Sequence, residues 1–382
     1  MHIIKNFNFY SELVALNEAL EGKELRGWKK RIKELCDKQG ANFEEVCRAL
    51  NIPMVDKSGL SEDIIKALDS AVSGNWEYDD GIINTESGVT LTEEFLVNGK
   101  LIPEITFGKI GGTFYCTFVG NKLNSMERFP VEVTGNFIIN SRELTSLVGG
   151  PKKVGLDYQV RNSKITNLEG CPDFVGRDFE LSENPNLQNL IGAENMNVLG
   201  DIEVYDCDLV SLEGAPKVYS PSSYYKTFRC NKNRLKTLLG APAAGTNSYS
   251  IDCSGNPDLF TLEGLPLDKQ CKNVTAKKCL MPESSLQDVY SDAVKFKSWT
   301  AAYFYLITTE KFQRMSKAQR DPIRDSISPD KLQTKTFALS PIWKDPIMQN
   351  PAVKRLMKKV QFTDQQISRT EMKSDLDDLG FD

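Results

Sequence analysis

Residues 202–216, IEVYDCDLVSLEGAP, and residues 228–242, FRCNKNRLKTLLGAP, follow one pattern of apolar positions. Each stretch begins with two apolar residues separated by one position, and each ends in Leu-x-Gly-Ala-Pro. This closing phrase occurs seven times in degenerate form, and its leading apolar residues lie 21, 21, 22, 22, 26 and 24 residues apart. They are Met126, Leu147, Leu168, Leu190, Leu212, Leu238 and Leu262. Self-similarity with a period of about 20–50 residues predicts a repeat architecture.

A second series of apolar residues keeps the same spacing and lies three residues earlier in each repeat. Its members are Leu123, Leu144, Ile165, Leu187, Leu209, Leu235 and Leu259. The alternating segment before each pair, such as Phe228-Arg229-Cys230, is typical of a short half-buried strand. Asn or a substitute follows each strand, where we expect its side chain to satisfy backbone groups at the bend. These positions are Asn121, Asn162, Asn184, Cys207, Asn233 and Asn256. The pattern predicts an α+β fold whose central part is a parallel-strand solenoid of about seven turns.

These repeats resemble the degenerate leucine-rich-repeat-like sequences of many tailed-bacteriophage proteins, whose consensus is close to F-x-C-x-x-N-x-L-T-S-L-x-G-A-P. The resemblance covers roughly residues 105–282, and it weakens at Asn189, whose repeat ends in Glu194 instead of proline. Extra residues between Ser220 and Tyr225 also lengthen one turn. The resemblance implies a leucine-rich-repeat-like fold and a viral origin, and it implies no chemistry.

The flanking regions complete the expected domain organisation. Residues 1–75 have helical periodicity and form an N-terminal helical module, and residues 76–104 form a cap or an irregular first turn. The solenoid covers residues 105–282, and an aromatic-rich C-terminal helical cap covers residues 283–372. Residues 373–382 form an acidic tail, which is either frayed or a short docking motif.

Composition indicates a cytoplasmic protein, in the host cell cytoplasm if the chain is viral. The 382 residues carry a formal charge of −5 and nine cysteines. No export signal or long apolar run is evident, so we expect free thiols, no membrane association and no structural zinc. The mild charge makes nucleic acid an unfavoured partner.

The inventory of reactive side chains is poor, and we expect a protein that is not an enzyme. The only histidine is His2, near the start of the chain, which excludes Ser-His-Asp and Cys-His arrangements. No phosphate-binding glycine motif occurs, and no cysteine follows residue 283. Chemistry based on carboxylates alone stays open. We therefore predict no catalytic residue, no metal and no cofactor.

Acidic residues are concentrated at the outward positions of successive predicted strands. Neighbouring strands are about 4.8 Å apart, so stacked carboxylates repel one another and need an explanation. We predict a protein-binding surface at these positions that recognises a basic partner. Its residues are Asp157, Asp178, Glu180, Asp201, Glu203, Arg229 and Asp252. A merely solvated face is the alternative, and calcium bound between Asp178, Asp201 and Glu203 is a weaker one.

Three functions follow from these features. The leading one is a non-enzymatic phage protein that binds a host or phage protein during infection through the strand face. The first alternative is a self-assembling structural or virion-associated component. The second alternative is a nucleic-acid-associated regulator that uses the basic N-terminal helix at residues 26–33. The sequence leaves the oligomeric state open.

Overall fold

The computed structural model describes residues 28–40 and 60–326 with short gaps, together with residues 42 and 46. The gaps are residue 80, residues 118–121, 220–225, 245–248 and 268–270, and residues 298, 300–301, 304–305 and 307–308. The chain is a parallel-strand β-solenoid of about eight turns. It divides into two compact units, of which the first comprises Met1–Lys164 and Glu169–Arg177 and the second comprises Ile165–Leu168 and Asp178–Asp382.

The first unit begins with helices α1 (Trp28–Gln39) and α2 (Glu62–Ala71). Helix α2 begins after Ser61, whose hydroxyl accepts a hydrogen bond from the Ile64 amide, as is usual for an N-cap. The Trp76 indole donates to Asp69 at 2.8 Å and so ties this helix to the first strand. The other predicted helices of the N-terminal module lie outside the described residues.

Two strand rows form the solenoid of the first unit. The back row pairs in the order β1 (Trp76–Asp79), β2 (Ile82–Thr85), β6 (Thr106–Ile110), β8 (Glu132–Val133), β10 (Lys153–Val154) and β12 (Phe174–Val175). The front row is β3 (Val89–Leu91), β7 (Phe114–Thr117), β9 (Phe137–Asn140) and β11 (Tyr158–Arg161). Within these two strand rows, only β1 and β2 pair antiparallel. A short 3-10 helix (Glu93–Phe95) is followed by a second antiparallel hairpin, which consists of β4 (Leu96–Val97) and β5 (Lys100–Leu101).

The first turn begins earlier than the repeat spacing predicts. Strands β2 and β3 already pair in parallel with β6 and β7. The region 76–104, expected to be a cap or an irregular turn, therefore contributes a solenoid turn, and the total is about eight instead of about seven. The sequence of this turn lacks the closing Leu-x-Gly-Ala-Pro phrase, because the β4–β5 hairpin occupies the position of that phrase.

The second unit continues the same plan. Its front row pairs in parallel in the order β13 (Phe179–Ser182), β15 (Ile202–Tyr205), β17 (Thr227–Arg229), β19 (Ser250–Asp252) and β20 (Asn273–Thr275). Its back strands are β14 (Asn197–Val198), β16 (Val218–Tyr219) and β18 (Ala243–Ala244). Helices α3 (Glu283–Phe296), α4 (Glu310–Gln313) and α5 (Lys317–Ser326) follow.

Helix α3 closes the end of the last turn. Glu283 accepts a hydrogen bond from the Ala276 amide, and Gln287 donates to the Val274 carbonyl of β20. The hydroxyl of Tyr290 accepts from the Cys271 amide and donates to the Pro266 carbonyl. These contacts satisfy backbone groups that a bare strand edge would expose. The predicted segments beyond residue 326, including the acidic tail, lie outside the described residues.

Each turn has a core of stacked columns. The two leucine series are buried, as in Leu209, Leu212, Leu235 and Leu238, all 0% exposed. Before six of the closing apolar residues, a Ser, Thr or Asn side chain accepts the amide two residues later, as Ser211 does from Glu213 at 3.0 Å. This local hydrogen bond explains the recurring Ser/Thr/Asn-Leu-x-Gly phrase.

A ladder of buried polar side chains from successive turns lies where the front strands end. Asn233 donates to the Val204 and Cys230 carbonyls at 2.8 and 3.1 Å, and its Oδ1 accepts the Leu209 amide at 3.2 Å. In the second unit, the residue before each ladder position has a positive φ, for example 52° at Lys232. The prediction was wrong at one position, because Asn162 takes this left-handed conformation and Ser163 is buried in its place. Asn121 lies outside the described residues.

Candidate protein-binding surface

The predicted binding residues lie in two places. Asp157 directly precedes β11 and belongs to the first unit. The other six lie on or beside the front strands of the second unit.

The carboxylate of Asp157 is occupied by hydrogen bonds within the first unit and has little surface open to a partner. It is only 7% exposed, and the Arg177 guanidinium binds both of its carboxylate oxygens. Arg177 itself is half exposed. Asp157 was predicted at an outward position; instead its side chain is buried, and the next turn supplies its counter-charge.

The aspartates at the start of the front strands share a structural role that was not predicted from the sequence. In the second unit, Asp178 accepts the Asp201 amide at 2.8 Å, and Asp201 accepts the Thr227 amide at 3.0 Å. In the first unit, Asn136 accepts the Asp157 amide at 3.1 Å in the same manner. A short side chain with an acceptor oxygen is what this position requires, and a negative charge is not. The recurrence of Thr, Asn and Asp at one register position was the signal.

Glu180 lies deeper than the alternation of its strand predicts. All four residues of β13 are buried, and Glu180 is 8% exposed. The Tyr205 hydroxyl donates to its Oε1 at 2.8 Å. The interpretation of Glu180 as an exposed contact residue is therefore corrected, since the larger side chain of the next turn covers it.

Glu203, Arg229 and their neighbours form a charged network. One guanidinium nitrogen of Arg229 donates to Asp201 at 2.6 Å and also to Glu203. Lys226, which was not among the predicted binding residues, lies 3.5 Å from Asp178. We call Asp178, Glu180, Asp201, Glu203, Lys226 and Arg229 the strand-face cluster. It contains four carboxylates and two cations.

The strand-face cluster keeps an excess of negative charge that its own cations do not relieve. Burial raises the pKa of the Glu203 carboxyl; Arg229 opposes this shift, while the charges on Glu180, Asp201 and Asp178 add to it. Burial lowers the pKa of Arg229, but Glu203 and Asp201 outweigh this effect and raise it. The arginine is thus stabilised by two carboxylates, whereas Glu203 is crowded by three.

Asp252 lies outside this network. Its side chain accepts the Ser254 amide at 3.0 Å and is partly exposed. Within the described ranges, no group of three or more His, Cys, Asp or Glu side chains is arranged to hold a metal ion.

Two shallow grooves lie on the first unit, and none of the predicted binding residues lines them. Their volumes are about 720 and 450 Å³, and Lys100 and Glu127 line both. These two side chains form an exposed ion pair at 3.1 Å. Neither groove gathers a set of reactive side chains.

Comparison with models of protein families, with curated proteins and with solved structures finds no match for this chain. In the part of the chain that is described, no helix is long and apolar enough to cross a lipid bilayer. Fold and site together define a solenoid protein with a charged strand face.

Proposed function

We propose that this chain is a non-enzymatic, phage-encoded protein that binds a basic surface of a host or phage protein through the strand-face cluster. The observation that carries the proposal is the excess of carboxylates around Glu203. A basic group from a partner would relieve a repulsion that Arg229 and Lys226 leave in place.

The geometry of the cluster suits recognition of a protein surface. Its charges lie on parallel strands about 4.8 Å apart, held by backbone hydrogen bonds, so little order is lost when a partner binds. The site is a face and not an enclosed pocket, and it offers no pair of groups poised for proton transfer to a small substrate. The viral origin rests on the repeat resemblance alone.

The proposal predicts opposite effects on stability and on binding in one variant. Asp178→Asn, Glu180→Gln and Glu203→Gln remove three charges but keep acceptor oxygens for the Asp201 amide and the Tyr205 hydroxyl. We expect the melting temperature to stay level or rise, and association with the partner to become slower and less dependent on salt. Melting curves and association rates at two salt concentrations measure both effects, using the partner captured from infected cells.

The pH dependence of stability provides a further readout. The folded-state pKa of Glu203 lies above its ordinary value of 4.5, so its charge costs stability at neutral pH. This cost disappears as the pH falls through the raised pKa. The stability advantage of the triple variant should therefore shrink on acidification.

A matched control removes three acids elsewhere. Glu169, Asp173 and Glu213 are exposed and lie outside the strand-face cluster. Glu169→Gln, Asp173→Asn and Glu213→Gln should leave the association rate at the wild-type value. If both triple variants associate alike, the strand-face cluster is not the binding surface.

A further inference from the structure

Two neighbouring turns of the second unit carry opposite charge. We name each turn by its front strand. The β15 turn carries the acids Asp201, Glu203, Asp206 and Asp208, and the β17 turn carries the bases Lys226, Arg229, Lys232 and Arg234. Along the chain direction, the two rows are in register: Arg229 contacts Asp201 and Glu203, Lys232 lies 3.3 Å from Asp206, and Arg234 lies 3.4 Å from Asp208.

The outer part of this double row stays open to solvent. The side chains of Lys232 and Asp206 are 61% and 53% exposed, and those of Arg234 and Asp208 are 59% and 37% exposed. Exposed ion pairs contribute little to the stability of a single chain. Each of these charges can therefore accept a second counter-charge from outside.

An acidic row beside a basic row is complementary to itself across a twofold axis. Consider an axis that runs parallel to the strands, midway between β15 and β17, just above the strand face. A rotation of 180° about it lays the β15 turn of one copy over the β17 turn of the other without changing the position along the strands. Glu203 then faces Arg229 of the second copy, Asp206 faces Lys232, and Asp208 faces Arg234. Both rows match at once because interfaces of this symmetry use one patch twice.

The flanking turns mostly tolerate this arrangement. The β13 turn would face the β19 turn, so that Ser182 meets Ser254 and Glu183 meets Gly255. One like-charged pair results in each half of the interface, Glu180 with Asp252, in which Glu180 is covered and accepts a hydrogen bond from the Tyr205 hydroxyl.

We propose that a second copy of this chain binds here, and that the β15 and β17 turns form a salt-sensitive, twofold homodimer interface. The partner is identified by the complementary rows of charge. The proposal does not depend on the proposed function, since its outer contacts are made by four residues outside the strand-face cluster. They are Asp206, Asp208, Lys232 and Arg234.

Charge exchange tests the interface directly. An all-acid variant carries Lys232→Glu and Arg234→Glu, and an all-base variant carries Asp206→Lys and Asp208→Lys. The left-handed position of Asp206 accepts lysine in this fold, because Lys232 and Lys278 occupy the equivalent positions with φ of 52° and 56°. Circular dichroism and melting curves check that both variants are folded.

Sedimentation equilibrium or light scattering then gives the association state at low salt and at about 0.5 M salt, where screening acts over only a few ångströms. We expect the wild type to dimerise at low salt and to dissociate at high salt. Each exchange variant alone should be a monomer, since acid then faces acid or base faces base, and their equimolar mixture should restore the dimer.

A control and a milder variant complete the experiment. Lys277→Glu and Lys278→Glu make the same change in charge two turns away from the basic row, and they should leave the dimer intact. Lys232→Gln and Arg234→Gln remove the attraction without adding repulsion and should weaken the dimer at least tenfold. A wild type that is monomeric at low salt over the accessible concentration range overturns the proposal. Exchange variants that dimerise alone, or a mixture that stays monomeric, also overturn it.

Discussion

Buried polar side chains at the strand ends are the residues on which the turns depend most. Asn256 repeats the contacts of Asn233 one turn later, with donations to Cys230 and Cys253 and acceptance from the Leu235 amide. Cys207 takes the same position but donates to Tyr205 at 3.3 Å through a weaker thiol. One amide group therefore connects two turns at three backbone positions.

Asn233→Ala should destabilise the protein by about 3 kcal/mol, because each buried backbone group left without a partner costs about 1–3 kcal/mol. Asn186 is exposed on the neighbouring surface, and Asn186→Ala should change stability by less than about 0.5 kcal/mol. Chemical denaturation of both variants measures the difference. Equal midpoints would show that the ladder is not what holds the turns together.

The corner that follows each pair of leucines is the element that sets the stacking distance. Its glycines have positive φ, for example 86° at Gly214 and 92° at Gly240. A Cβ on Gly214 would overlap the Ile191 backbone of the preceding turn. Glycine is needed here both for the left-handed conformation and for the close approach of two backbones.

A pair of alanine variants separates these two requirements. Gly81 has a nearly identical φ of 84°, but a Cβ there would meet no atom within 4 Å. Gly81→Ala should cost about 1–2 kcal/mol, the price of the left-handed conformation alone. Gly214→Ala should lower the free energy of unfolding by more than about 4 kcal/mol, because the new Cβ would also clash with the backbone of the preceding turn. Melting curves that rank the two variants equally would contradict the inferred close approach.

Cysteines are distributed through the solenoid, and their burial is a property of the whole molecule. None of the eight cysteines in the described part of the chain is exposed. Burial raises the pKa of both Cys207 and Cys271 to about 11. Burial also raises the pKa values of Cys230 and Cys253. The stacked turns therefore keep their thiols protonated and unreactive near neutral pH.

Alkylation should be slow in the folded protein and complete after unfolding. At pH 8 the native thiols should react far more slowly than glutathione in the same solution, and the rate should rise as the pH approaches 11. After denaturation without reductant, all nine cysteines should titrate. Seven or fewer, with adventitious oxidation excluded, would show that the chain contains a disulfide.

Much of the fold could be predicted from residue spacing. The buried leucines, the corner glycines and the Ser, Thr or Asn caps lie within a few residues of one another in every repeat. They therefore form a local sequence pattern, such as Ser211-Leu212-Glu213-Gly214. The turn at 76–104 was predicted only as one of two alternatives, a cap or an irregular first turn, because the β4–β5 hairpin replaces that pattern. Asn162 was misplaced because left-handed and buried positions are adjacent, and Asn suits both.

The candidate site was predictable only in part. Its acids could be assigned to the strand face by alternation, because successive side chains of a strand point to opposite sides. Their partners could not, since Arg177 and Tyr205 reach them from the next turn and Lys226 from two turns away, at sequence separations set by loop length. Whether a carboxylate is covered, as Glu180 is, or crowded, as Glu203 is, depends on the side chains stacked above it. Burial and charge pairing are properties of neighbours in space, and only the folded chain brings those neighbours together.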